Sequence, residues 1–205
     1  MHNMIENILF GSSYAFACAI QPGPLQAFLL SQVALKGWRR TLPAAFAPIL
    51  SDGPIAVLVL LVLRRLPVGM ERFLQAAGGF LLLYLAWAAF SQTGTKTGEP
   101  HVEEDSTPRT VLQAVAVNIL NPNPYLGWTL VLGPKMLSAW AQSRGHAVAL
   151  AASFYGTMVL TLAAIILLFG ATRFLGTRSR RVLLVLSASA LALLGIFQLV
   201  SAWRR

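Results

Sequence analysis

The sequence predicts an all-α integral membrane protein of six transmembrane helices, arranged as two inverted three-helix repeats. Three observations carry that expectation. The 205-residue chain is 56% hydrophobic and only 11% charged, whereas a soluble domain typically carries about 25% charged residues. Its apolar residues gather into six runs separated by short charged gaps. The first and fourth runs are interrupted near their centres by Pro22-Gly23-Pro24 and Pro122-Asn123-Pro124.

The runs fall at residues 7–35, 41–63, 73–95, 110–134, 145–172 and 182–203. Each meets the length of about 20 residues needed to cross the hydrocarbon core. The first holds no charge between Glu6 and Lys36. With the fifth, it is long enough that its ends must tilt or leave the bilayer. Met1 to Asn7 contain no Lys or Arg, and the run exceeds a signal-peptide h-region, so it is expected to be retained as helix one. The second run carries a single acid, Asp52, near its midpoint. The third follows Arg64/Arg65, and the fourth is uncharged from Arg109 to Lys135. The fifth and sixth are separated by Arg178, Arg180 and Arg181. All six are continuously apolar and lack two-residue alternation, which favours helices over a barrel. Trp38, Trp140 and Trp203 stand near run ends, where interfacial aromatics collect.

Residues 1–205 form one transmembrane domain by this reading, with a first repeat at 1–90, a linker at 91–109 and a second repeat at 110–205. The linker contains Gly94, Gly98, Pro100 and Pro108, and its Glu103-Glu104-Asp105 cluster beside His101 fits a solvated connector better than a metal site. Each half opens on a Pro-x-Pro break. Each closes on a glycine placed the same interval before Ala-Trp: Gly79 before Ala86-Trp87, and Gly195 before Ala202-Trp203. A repeat of three crossings must be inverted relative to its copy, a recurrent plan for proteins that move solutes through a bilayer.

The net charge of +9 comes from scattered helix flanks. Such flanks suit anionic headgroups, so the expected partners are the lipid bilayer and a small molecule, not nucleic acid. Nine basic residues fall on the side of the first, third and fifth loops and seven on the side holding both termini. That bias places the termini outside the cell membrane. One cysteine, Cys18, permits neither an intramolecular disulfide nor a two-cysteine relay, and is expected as a packing residue. No zinc-protease, nucleotide-loop or Cys/His pattern occurs, and Ser12 and Ser13 have no histidine within the same run. An enzyme, a bound metal and any cofactor beyond a coupling proton are therefore not expected. A homo-oligomer is left open.

The breaks supply the candidate chemistry. Proline lacks an N–H and clashes with the carbonyl four residues earlier. Pro22 and Pro24 should free the carbonyls of Cys18 and Ile20; Pro122 and Pro124 should free those of Asn118 and Leu120. Each unpaired group in hydrocarbon costs several kcal/mol, so the breaks need protein, water or ligand around them. New helix starts should present N–H donors at Leu25 to Ala27 and Tyr125 to Gly127, which favour an anion. Freed carbonyls favour a cation, and a site offering both suits a zwitterion. Asp52 at a helix centre costs about 2.5–3.5 kcal/mol. It is expected to carry a coupling proton or meet a substrate ammonium, the plainer alternative being a packing hydrogen bond to Asn118 or Asn121. The expected site is thus Asp52 with Gln21, Pro22, Gly23, Pro24, Asn118, Asn121, Pro122, Asn123 and Pro124. Ala44, Ala45, Ala47, Ser51 and Gly53, Ala76 to Gly79, and Ser187 to Ala190 read as close-packing faces.

These residues resemble the lysine-exporter (LysE/RhtB-type) family of bacterial amino-acid efflux proteins. Pro22-Gly23-Pro24 matches its helix-one signature, Gly37 the glycine that follows, Asp52 the acid closing the helix-two motif, and Asn121-Pro122 the opening of the helix-four break. Asn121-Pro122-x-x-Tyr125-Leu126 with Val131-Leu132-Gly133 looks closest to the basic-amino-acid branch. Where the family pattern has further glycines, this chain has Thr41, Ala47 and Ser51. Where that branch has an acid after Tyr-Leu, it has Gly127, which counts against lysine or arginine. The resemblance implies six helices and proton-coupled export from the cytoplasm. The alternatives are efflux of a divalent metal cation, which needs more ligands than one carboxylate and one thiol, and a non-transporting assembly or lipid-processing protein with a dry midplane.

Overall fold

The computed structural model describes residues 2–61, 68–91, 106–171 and 177–204. Arg64/Arg65 and the acidic cluster with His101 lie outside the described residues. No strand occurs among those described.

The first apolar run becomes two helices, α1 (His2–Ile20) and α2 (Pro24–Lys36). The Gln21 N–H still reaches the Ala17 carbonyl at 3.2 Å, and the chain then extends through Gly23. Pro24 opens α2, a position where its missing N–H costs nothing. At the far end Gly37 takes a φ of 83° and donates its N–H to Val33 O at 3.0 Å. That left-handed turn requires glycine. It compresses the gap expected at 36–40 to a single residue. The next helical turn, α3 (Trp38–Thr41), begins at once and runs through a 3₁₀ turn (Leu42–Phe46) into α4 (Ala47–Leu61).

After α5 (Val68–Ser91), the fourth run is the most divided: α6 (Ser106–Ile119), α7 (Pro122–Gly127), a π-helical turn (Trp128–Leu132) and α8 (Gly133–Gln142). Two expectations shift here. Helix α6 starts inside the anticipated linker, and α8 continues past Lys135, where the apolar run ended. Pro134 sits in the first turn of α8, where proline is tolerated. The turn comes at Ser143, whose hydroxyl accepts the His146 N–H at 3.3 Å and so starts α9 (Arg144–Ala171). The chain ends with α10 (Thr177–Arg204).

Four described stretches are long and apolar enough to cross a membrane: Trp38–Val59, Arg72–Ser91, Arg144–Ala171 and Val185–Trp203. Met4–Ile20 forms a shorter apolar helix. The first and fourth runs fail the length criterion because the proline breaks cut them.

Packing is closest between α5 and α10 and between α1 and α9; α2 also lies on α10, and α4 on α6. Lipid is as apolar as leucine, so helices associate through close packing. At the α5–α10 crossing the two expected glycines meet. A Cβ on Gly79 would lie 2.9 Å from Gly195 O and 2.8 Å from Leu199 Cγ; a Cβ on Gly195 would lie 3.0 Å from Gly79 O and from Leu83 Cγ. Gly11 meets Leu150 and Ser153 of α9 in the same manner, and Gly170 receives Trp38. Gly53 differs from its expected role: it is exposed, with nothing within 4 Å of a Cβ. Gly79→Ala is therefore expected to lose about 1–3 kcal/mol through overpacking, while Gly53→Ala is neutral or stabilising. Thermal unfolding of the two variants in the same detergent compares them; equal midpoints would contradict the crossing.

Candidate functional site

A cavity of about 350 Å³ lies between the two breaks. Its wall includes Gln21, Pro22 and Gly23 from the first break and Asn121, Asn123 and Pro124 from the second. Asp52 from α4 and Asn118 from α6 join them. Pro24 and Pro122 are buried and stand behind the wall, each opening a helix. Eight of the ten residues expected from sequence thus share one cavity, and the other two set the helix starts that shape it.

Asp52 is 5% exposed and its surroundings are neutral. Asn118 Nδ2 donates to Asp52 Oδ1 at 3.0 Å and to Ser51 Oγ at 2.6 Å, tying α6 to α4. Ser51 itself bonds back to Ala47 O at 3.0 Å, leaving its 3.5 Å approach to Asp52 weak. The Trp128 indole N–H acts on the carboxyl electrostatically but stops short of hydrogen-bond geometry, and it has no other acceptor. No Lys, Arg or His is bonded to Asp52 among the described residues; Lys135 pairs instead with Glu6 at 3.2 Å. A buried carboxylate without a cationic neighbour must balance its charge with a proton or with a cationic ligand.

The backbone at the breaks differs from expectation in an informative way. The Cys18 carbonyl is not free: Gln26 Nε2 donates to Cys18 O at 3.3 Å and to Ala19 O at 2.9 Å. Asn118 O accepts the Asn121 N–H at 3.3 Å. Leu120 O presses against Gly78, 2.5 Å from where a Cβ would stand. Two of the four carbonyls expected to be freed, those of Cys18 and Asn118, are thus engaged, and Asp52 supplies the carboxyl on the cavity wall.

The two helix starts are also unequal. Helix α2 begins on Gly23 with no side-chain cap, so the Leu25 and Gln26 N–H groups have no intrahelical acceptor, while Ala27 N already reaches Gly23 O at 3.0 Å. Helix α7 begins two residues earlier than expected, at Pro122. Tyr125 to Gly127 consequently lie beyond its first-turn donors. Two of its first three residues are proline, and the Asn121 side chain takes the one remaining N–H, that of Asn123, at 3.1 Å.

Several wall residues were not singled out from the sequence. Cys18, expected in packing, stands half-buried on the wall with Tyr14, one turn further back on α1. Stepping back by four from Pro22 reaches both, so helical spacing alone held that signal. Trp128 and Leu132 follow Pro124 by the same step. Phe154 and Met158 of α9 are one turn apart and close the apolar side. Above the cavity the face of α1 continues as a stack: Tyr14 lies 6.0 Å from both Phe10 and Phe154, and Lys135 covers Phe10 at 5.2 Å while pairing with Glu6. Gly127 admits the Tyr14 hydroxyl, which would lie 2.9 Å from a Cβ there.

A helical membrane fold interrupted at a partly open cavity with a buried acid on its wall is the arrangement expected of a solute translocator. The LysE type translocator family model matches residues 16–202, and the chain belongs to that family. No curated protein and no solved structure matches it. It is accordingly a multi-pass membrane transporter.

Gln26 is the residue that repairs the first break. Gln26→Leu leaves the Cys18 and Ala19 carbonyls without their donor and is expected to cost about 1–3 kcal/mol. A thermal midpoint unchanged from the parent protein would show that water replaces the amide.

Proposed function

We propose that this protein exports amino acids or closely related small metabolites from the cytoplasm by proton antiport. The observation that carries the proposal is Asp52 on the cavity wall, hydrogen-bonded only by neutral groups. The same carboxyl binds a proton or a substrate ammonium in turn, which is the exclusivity that antiport requires. Divalent metal efflux is disfavoured because no three His, Cys, Asp or Glu residues converge among the described residues, and the cavity offers one carboxylate and one thiol.

Six crossings and an inverted repeat fit this proposal. The broken first and fourth runs each count as one crossing beside the four unbroken spans. The α5–α10 contact supports the repeat: Gly79 meets Leu199 while Gly195 meets Leu83, and the two pairs occupy matching places in the halves. That reciprocity is what a two-fold axis through the crossing would produce. The basic-residue count puts both termini outside the cell membrane.

Two measurements test the proposal. In proteoliposomes with an imposed proton gradient, Asp52→Asn should abolish gradient-driven amino-acid movement while the protein still inserts and elutes as a single species. Gradient-driven transport at the parent rate would remove Asp52 from the mechanism. Cys18 is the chain's single thiol. A small maleimide should label it on the cavity wall and stop transport, and substrate in excess should slow that labelling. Labelling indifferent to every transported compound would place the substrate elsewhere.

A further inference from the structure

We infer that the substrate is a neutral amino acid with an apolar side chain, its ammonium on Asp52 and its carboxylate on the uncapped start of α2. This rests on the amino-acid reading above and narrows it by the charge and shape of the cavity.

The wall carries one ionisable carboxyl and no Lys, Arg, His or Glu. A zwitterion matches that inventory: one cation for Asp52, and one anion for backbone donors. A basic amino acid would bring a second cation with no second acid to meet it. An acidic one would bring a second carboxylate with no cationic side chain. An unpaired charge in a water-poor site is strongly penalised.

The carboxylate end is specified by two independent features. Gly23, Leu25 and Gln26 all line the cavity, so the first turn of the 13-residue α2 faces it with two N–H groups that lack intrahelical acceptors. Trp128 lines it as well; its side chain is 5% exposed and its indole N–H, on the same side as Asp52, meets no acceptor in hydrogen-bond geometry. Buried donors left open in a native fold await an acceptor. The corresponding start of α7 is taken by Asn121 and does not compete.

Apolar side chains make up much of the rest of the wall. Phe154, Met158, Val131, Leu132 and Leu126 enclose the space beyond the polar groups, with Tyr14 stacked on Phe154 as its roof. The cavity's size is at the small end of the range of about 300–1,000 Å³ usual for ligand sites. An apolar side chain there gains by leaving water.

The test is uptake and counterflow by the purified full chain in proteoliposomes, with leucine, methionine, lysine, glutamate and leucinamide as probes. Leucine and methionine should move at least about tenfold faster than lysine or glutamate, and leucinamide, which keeps the ammonium but lacks the carboxylate, should fall by about tenfold. Lysine or glutamate moving as fast as leucine would overturn the inference yet leave amino-acid export standing. Leucinamide matching leucine would overturn the carboxylate assignment. No movement of any probe would overturn both this inference and the amino-acid reading. The wall is checked separately with variants that elute as folded protein. Met158→Ala should shift preference toward phenylalanine and Val131→Phe toward alanine; an unchanged ranking in both would overturn the apolar-wall assignment.

Discussion

Backbone polar groups in a bilayer core have no water to turn to, and that constraint governs this fold. An unbroken helix satisfies it automatically. Two helices here are broken by proline, so every group the prolines release must be met by something specific. The first break is met from the next helix, where Gln26 reaches back to the carbonyls of Cys18 and Ala19. The second is met locally, with Asn121 donating to Asn118 O and capping Asn123 N. Once these repairs are made, few groups remain open. Those on the cavity wall include the first donors of α2, the Trp128 indole and the uncompensated carboxyl of Asp52.

Close packing makes that economy workable. Asn118 can hold Asp52 only because α6 approaches α4 and the 3₁₀ turn before it closely, and that facing surface is built from small residues, with Ala44, Ala45, Ala47 and Ser51 fully buried. The second break can lodge in the bundle only because Gly78 offers bare backbone to the Leu120 carbonyl. The π-helical turn from Trp128 to Leu132 inserts an extra residue per turn beside the cavity, a distortion often found at functional sites. Small residues, a local change of helix type and the polar site are consequences of one another. Enlarging any one of them would push the donors away from the space they define.

Much of this was legible in the sequence because it rests on local chemistry. Proline at residues 22, 24, 122 and 124 marks the breaks wherever the chain folds, and an acid in the middle of an apolar run needs a polar surrounding. The matched glycines at 79 and 195 forecast a close approach, although not that they would face each other. What stayed hidden depends on three-dimensional choices. Whether Gln26 points outward or folds back on its own helix break is a rotamer decision. Whether α7 starts at Pro122 or Pro124 turns on one side-chain cap, and that cap removes the donors the sequence had promised at Tyr125 to Gly127. Cys18 and Tyr14 sit at helical spacing from Pro22, but spacing cannot say that α9 would bring Phe154 and Met158 opposite them.

The inequality of the two breaks bears on direction. If the halves descend from one repeated unit, a perfectly symmetric pair of breaks would offer two equivalent anion sites around a single acid. A zwitterion would then have no preferred orientation. Here Asn121 closes one start and Gly23 leaves the other open, and the carboxyl on the cavity wall belongs to α4 of the first half, held by Asn118 of the second. The site is therefore polar along a defined line, while the contacts at the α5–α10 crossing are reciprocal. In the proposed export cycle, that reciprocity would let the two halves rock against each other with similar energies. The asymmetry of the side chains would fix how the substrate sits and place its ammonium on the group proposed to exchange it for a proton. A site of this kind would separate the two demands of coupled transport, the α5–α10 crossing carrying the symmetry and the breaks the chemistry.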